Sequence, residues 1–490
     1  MLFVVSIKGA AQNIELGSLL QQDARNHQLL FGTDSLQSFT MRSTEIKQSY
    51  SKKYFYWEAL PLSITNQFNS HHPYGYNDGA MIPAMGYQAK MSAGILAVVG
   101  PLKIQLQPEY IYAANPTYEN NATFGYSNNK SYKKLFAGQS GISISANAFS
   151  VGVSTQNLWW GPGITSALLM SNNAPGFEHI YFKTRRPVKT PIGSFEFELI
   201  GARLQNDTVM PYENFYLKPN TTLGIDARYL NAYTISYQPK FLPGIFIGMN
   251  RSLQRYEKEI NVGTNSFSSK YLPILGKAFQ KKNDWGDDTL NTDQLGSFFL
   301  RWVMPKSHAE FYIEYGFNDY GANTRDYLMA PTHSASHVVG FKKIMPLRGT
   351  HYLDIGIEIT QLSQSPDAIV RSAGNWYVHG QIGQGYTNYN QIIGSGAGFA
   401  ANKQILSAIW VNGFTKLGIL IERTDRDPEY HANKWTDLSI GILPQMKYKN
   451  YIMGGVVQFM NSANYMWEKD VNRFNFHGKL SIQYYFEKHK

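Results

Sequence analysis

The chain has 490 residues, of which 14% are aromatic and only 16% charged, and its formal net charge is +10. Soluble proteins carry about 25% charged residues, yet the mean hydropathy of −0.32 and the lack of a long unbroken apolar run exclude transmembrane helices. The absence of cysteine removes disulfides, thiolate metal sites, cysteine nucleophiles and a lipid anchor on cysteine together. Tyrosine, phenylalanine and glycine are spread from end to end, so composition does not cut the chain into domains. The positive charge favours anionic partners. Nucleic acid is not among those expected, because the basic residues form no stripe and no recognition motif is present. Anionic lipid headgroups and an acidic polysaccharide fit the charge equally well.

Residues 1–12 hold a short apolar run followed by small residues, which reads as the rear of a secretory signal cut after Ala11 or Gln12. Residues 13–52 are expected to form an N-terminal helical and extended segment. Leu16, Leu19, Leu20, Leu29 and Leu30 mixed with Gln, Asp and Arg predict a helix from Ile14 to Phe31, stopped by Gly32. Ser38 to Arg42 is expected to be extended.

From about Tyr54 the period is two, and residues 53–490 are read as a transmembrane β-barrel. Leu102, Ile104 and Leu106 alternate with Lys103, Gln105 and Gln107, and Ile142 and Ile144 alternate with Ser143 and Ser145. Phe195, Phe197 and Leu199 alternate with Glu196 and Glu198, and Leu353 to Ile359 alternate with Asp354 to Thr360. An apolar face outside and a polar face inside suit a barrel in lipid, although a β-sandwich shares the pattern. Connection lengths discriminate better. Turns at 99–101, 190–193, 242–244, 305–307, 347–349, 412–414 and 449–450 are tight, whereas 116–139, 262–294 and 363–402 are long and polar. Short turns on one rim and long loops on the other, with about eighteen strands, are the outer-membrane layout. A propeller would repeat every 40 to 50 residues, roughly, and none is visible. The last strand, Phe474 to Phe486, is aromatic-rich, as outer-membrane barrels commonly end.

The motif Asn157-Leu158-Trp159-Trp160-Gly161-Pro162-Gly163 ends an alternating strand with two tryptophans and a rigid turn. Adjacent strand residues point to opposite faces, so at most one of the two rings can meet lipid. Two readings stand: a loop anchor that narrows the lumen, and direct contact with sugar rings. After the motif come the small and apolar residues Ile164 to Ala174, then Pro175-Gly176-Phe177. In this order, Ser150 to Arg203 resembles the Wzi family of outer-membrane proteins involved in capsule assembly. A second, looser match spans Tyr377 to Gly398, with Gly380-Gln381, Gly383-Gln384-Gly385-Tyr386 and Gly394-Ser395-Gly396. The resemblance implies an eighteen-stranded barrel in the outer membrane of a Gram-negative bacterium, acting as a surface lectin that retains capsular or extracellular polysaccharide. It implies that Trp159, Trp160, Gly161, Pro162, Gly163, Gln381 and Tyr386 bind glycan or constrict the lumen. The resemblance implies that residues 13–52 are a periplasmic N-terminal element, but the family's bundle there has several helices, whereas one is predicted here. Lipid and lipopolysaccharide are further expected partners, and polysaccharide export machinery is another.

Two loops interleave cations with aromatics: Tyr126, Lys130, Tyr132, Lys133 and Lys134 in one, Tyr271, Lys281, Lys282 and Trp285 in the other. Such side chains stack on sugars and pair with anions, though solvated loops touching lipopolysaccharide phosphates would look alike. Arg185 and Arg186 are expected to set one cation in the lumen against Glu196 or Glu198, as an interior charge ladder. His333 and His337 have a suggestive spacing, but on a strand they stand roughly 13 Å apart, so no metal site is expected. No cofactor is expected either. Enzymatic function is not expected, since no Gly-x-Ser-x-Gly elbow, His-Glu-x-x-His or phosphate loop occurs. The rival functions are a passive porin and a surface hydrolase of lipid or glycan.

Overall fold

The structure, a computed structural model, describes residues 19–32, 37–42, 54–117, 130–207, 227–260, 292–318, 332–363, 375–380, 382–429 and 431–486. Its frame is a closed antiparallel barrel of eighteen strands. They are β1 (Phe55–Asn69), β2 (Gly86–Val99), β3 (Leu102–Leu106, resumed as Glu109–Ala113), β4 (Tyr132–Phe136, resumed as Gly141–Ala146), β5 (Phe149–Ser154) and β6 (Glu178–Thr184, resumed as Val188–Thr190). There follow β7 (Gly193–Leu204), β8 (Arg228–Pro239), β9 (Ile245–Tyr256), β10 (Asp293–Met304), β11 (Ala309–Asn318) and β12 (Ala335–Pro346). The last six are β13 (His351–Gln361), β14 (Ala401–Asn412), β15 (Thr415–Arg426), β16 (Trp435–Tyr448), β17 (Tyr451–Ala463) and β18 (Arg473–Tyr484). Each strand pairs with the next in sequence, and β18 closes on β1 with Leu62 opposite Tyr484 and Asn69 opposite His477. Closure leaves no free edge, which is what lipid demands of a sheet. Pro61 lies within β1 where the register with β2 shifts, a place where a missing N–H costs no ladder bond.

The period-two reading of the sequence holds along the wall. On β7 the inward residues Ser194, Glu196, Glu198 and Ile200 are buried, while Phe195, Phe197 and Leu199 face outward. On β13, Asp354, Glu358 and Thr360 are buried, and Ile357 and Ile359 are exposed. The outer surface therefore carries an apolar band. Trp57, Phe241, Trp302 and Tyr448 are exposed toward the short-turn rim, and Phe68, Tyr87 and Phe474 toward the long-loop rim. Aromatic rings at both rims suit the two membrane interfaces.

Helix α1 (Leu19–Phe31) lies in the short-turn mouth. Leu29 packs on Phe246, Val303 and Ile344 of the wall, and the His308 ring lies 3.1 Å from the Leu29 carbonyl. Lys416 donates to the Leu19 carbonyl at 2.6 Å and pairs with Asp23 at 2.7 Å. Gly32, at φ +62°, ends the helix as expected, with its N–H donating to the Gln28 carbonyl. Arg25, Asn26 and Gln28 are buried along with Leu29. A polar helix is buried here because the lumen wall it meets is itself polar. Of the extended stretch 38–42, only Met41–Arg42 is strand, and it pairs inside the lumen with Trp159–Trp160.

Candidate functional site

Three connections on the long-loop side turn inward and meet in the lumen. The first, 155–177, carries the tryptophan motif. The Trp160 indole N–H donates to Glu198 of β7 at 2.9 Å, and Trp159 lies under the Arg42 guanidinium, 4.3 Å from the ring centroid. Gly161 N–H donates to the Thr40 carbonyl at 2.7 Å. The tip then crosses to the far wall. Glu358 of β13 accepts the N–H of Ile164 at 2.5 Å, the N–H of Thr165 at 3.0 Å, the Thr165 hydroxyl, and the Tyr312 hydroxyl at 2.6 Å. Glu314 of β11 accepts the Leu168 N–H at 3.1 Å and the Ser297 hydroxyl at 2.7 Å. Two wall carboxylates thus satisfy loop amides that would otherwise be buried without partners, by bonds of the charge-assisted kind.

Glycine is required at this tip for two different reasons. Gly161 has φ +127°, and a Cβ there would meet Glu314 at 2.6 Å. Gly163 is so close to its own turn that a Cβ would stand 1.9 Å from the Ser166 carbonyl oxygen. At the base of the same loop, a Cβ on Gly176 would stand 1.9 Å from the Thr155 carbonyl oxygen.

The other two connections brace the first. In the segment 375–400, Tyr377 donates to the Leu168 carbonyl at 2.8 Å and accepts the Ser395 N–H at 2.8 Å. Arg228 of β8 holds its base through the Gly385 and Thr387 carbonyls at 2.5 and 2.8 Å. In the segment 70–85, Tyr74 and Tyr76 donate to Glu422 of β15 at 2.7 and 2.8 Å, and Gly79 N–H donates to the Asn172 carbonyl. Helix α1 reaches the same tip from the opposite mouth. Arg25 donates to the Pro162 carbonyl at 2.7 Å and pairs with Glu310, which Arg301 also holds; Arg42 donates to the Gly163 carbonyl. The largest buried hydrophobic cluster, including Trp160, Leu168, Met170, Tyr377, Tyr386 and Ile393, lies among these inserted segments. Toward the long-loop end they leave a cleft between Tyr76, Asn390, Gln391, Phe399, Lys403 and Arg426.

The sequence matches the family model of capsule assembly protein Wzi over residues 71–470. The chain belongs to the Wzi family. Among solved structures, it is similar to Escherichia coli Wzi, described as a carbohydrate-binding β-barrel of the outer membrane involved in group 1 capsule assembly. That likeness has a TM-score of 0.61 at 11% identity, covering 87% of this chain and 85% of the other. Acinetobacter baumannii OccAB3 has a TM-score of 0.44 at 10% identity, covering 88% and 99%; Pseudomonas aeruginosa OccK7 has 0.43 at 9%, covering 87% and 99%. No curated protein matches the sequence. Like its family, this Wzi-family barrel is an integral protein of the Gram-negative outer membrane.

The structure of the Wzi-family chain redistributes the residues singled out from sequence. Trp159 and Trp160 are both 0% exposed, and Gly161, Pro162, Gly163 and Tyr386 are buried with them. Both rings therefore lie inside the protein, because the motif turns into the lumen and forms no rim, and neither of them offers an exposed face to a sugar. Tyr132 and Lys134 also point inward, bonding Asp207 at 3.1 and 2.6 Å, with Lys134 4.0 Å from the Tyr389 ring centroid. Lys130 and Lys133 are exposed. At Glu198 the charge ladder takes a lysine in place of the expected arginine. Glu198 faces Lys183 at 3.4 Å, and Glu196 accepts the Ser38 N–H at 2.8 Å. Arg185 and Arg186 fall in the bend after Thr184, outside the strand, and Arg186 is exposed. Tyr126, Tyr271, Lys281, Lys282, Trp285 and Gln381 lie outside the described residues. Glu310, Glu314, Arg25, Arg42 and Gln391 were missed. The wall carboxylates among them did carry a signal, since they occupy inward positions of the alternating strands.

Proposed function

We propose that this chain binds capsular or extracellular polysaccharide at the cell surface and retains it non-covalently, without catalysing a reaction. The observation that carries this reading is the lumen. A helix enters from one mouth and three loops from the other, Arg25 and Arg42 bond the tryptophan loop at Pro162 and Gly163, and a cleft lined by aromatic and amide side chains remains toward the long-loop end. Such a barrel is built to present a surface more than to pass solutes. Membership of a capsule-assembly family and the carbohydrate binding described for Escherichia coli Wzi support the same reading. Retention would come from multivalency: one polymer meets many copies of the barrel, so modest affinity at each adds up. The exposed lysines 130 and 133 are placed to meet anionic groups of the polymer or of lipopolysaccharide.

The test is a deletion strain, with polysaccharide measured in the cell-bound and medium fractions. Release into the medium at unchanged total synthesis is the expected result. An unchanged partition would overturn retention.

A further inference from the structure

The outer cleft has features that the lumen packing does not explain. It is open space among the packed loops, part of it continuous with outside water. Its walls come from three connections and two strands: Tyr76 from the 70–85 connection, Asn173 from the tryptophan loop, Asn390 to Phe399 from the 375–400 segment, Lys403 from β14, and Thr424 and Arg426 from β15. Gln391 is the informative residue. It lines the cleft and is only 7% exposed, yet its amide nitrogen is buried without a hydrogen-bond partner. Leaving such a donor unpaired costs free energy unless something else accepts from it.

The charges decide which kind of acceptor. Lys403 pairs with Glu422 at 3.0 Å, Arg426 with Asp437 at 2.9 Å, and Asp78 with Lys479. Every charged side chain lining the cleft is thus matched by an opposite one, so the site offers no excess positive field despite the net charge of the whole chain. Asn173 and Asn390 are engaged by protein groups, so what remains for a ligand is the Gln391 amide beside ring or aliphatic surfaces (Tyr76, Phe399, Ile392). An amide that pairs with a hydroxyl, beside apolar surfaces that cover C–H faces, is complementary to a sugar ring.

We propose that this cleft is a binding subsite for a neutral pyranose unit of the polymer, with the Gln391 amide donating to one of its oxygens. The inference rests on the polysaccharide-binding reading above and adds the place, the donor and the charge class. It also departs from what the overall basic charge suggests, namely an acidic ligand.

The experiment uses the full chain, purified in detergent. The probes are the surface polysaccharide of the source strain cut to oligosaccharides, together with a panel of neutral hexose oligosaccharides and oligouronates. Binding is measured at low and high salt for the native chain, for Gln391→Leu and Gln391→Glu, and for Lys447→Ala at the opposite rim. Heat-modifiable migration on gels reports whether each barrel has folded. The expected result is binding of neutral fragments that salt leaves unchanged, that both Gln391 variants weaken by about tenfold, the worth of one hydrogen bond, and that Lys447→Ala preserves. Neutral binding that survives in folded Gln391 variants would overturn the cleft and leave the polysaccharide reading standing. Binding confined to uronates, or lost in high salt, would overturn the neutral class. No binding to any probe would overturn the cleft and the proposed function together.

Discussion

Gly163 sits where no side chain fits, and the tip of the inserted loop depends on it. Adding one carbon there would drive it against the Ser166 carbonyl oxygen, and that atom belongs to backbone, which cannot swing aside. Gly163→Ala is expected to destabilise the folded barrel by about 1–3 kcal/mol, the usual cost of forced overpacking, read as a lower melting temperature in detergent. Glu310 carries more. It is buried between Arg25 and Arg301, so Glu310→Ala would leave two guanidinium groups buried without their shared counter-charge. The expected cost is about 3–5 kcal/mol, and Glu310→Gln should cost less because it keeps an acceptor; unfolding in denaturant would check both. The Trp-Trp-Gly-Pro-Gly run was legible as something special because its residue types are so restrictive. Its partners were not, because Glu314 and Glu358 lie 146 and 193 residues from the amides they hold.

At the scale of elements, strands and turns could be read from period and loop length, whereas the course of the long loops could not. The 70–85 connection illustrates the energetic consequence of folding inward. His72 in it is buried beside Tyr465 and His71, and burial lowers its pKa to about 4, with nearby Asp437 opposing the shift and Arg426 and His71 reinforcing it. In the unfolded chain the ring takes a proton below about 6.5; in the folded one it stays neutral until about 4. The unfolded state therefore binds more protons in that window, and stability falls as pH drops from about 6.5 towards 4. Hydrogen exchange at the outer loops should rise over that interval, and His72→Gln should flatten the response. A pH-independent exchange pattern in the native chain would count against this account.

For the whole molecule, a lumen entered from both ends predicts a barrel that does not conduct. In planar bilayers the native chain should give no steady current. Glu314→Ala combined with Glu358→Ala should release the loop tip, since it removes the acceptors of three loop amides at once, and openings should then appear. A steady open-channel current from the native chain would favour the porin function instead. Conductance thus separates a barrel that presents a surface from one that transports.

The sequence alone determined the barrel, its approximate strand number and its family. Lipid outside and water inside impose a period of two on every strand, and the restrictive turn motif survives as a local string of residues. The tertiary structure alone decided where the loops go, that both tryptophans are buried, that Lys183 and not an arginine faces Glu198, and that an unpaired Gln391 amide lines the outer cleft. Those facts depend on contacts between residues far apart in sequence, which no local pattern encodes.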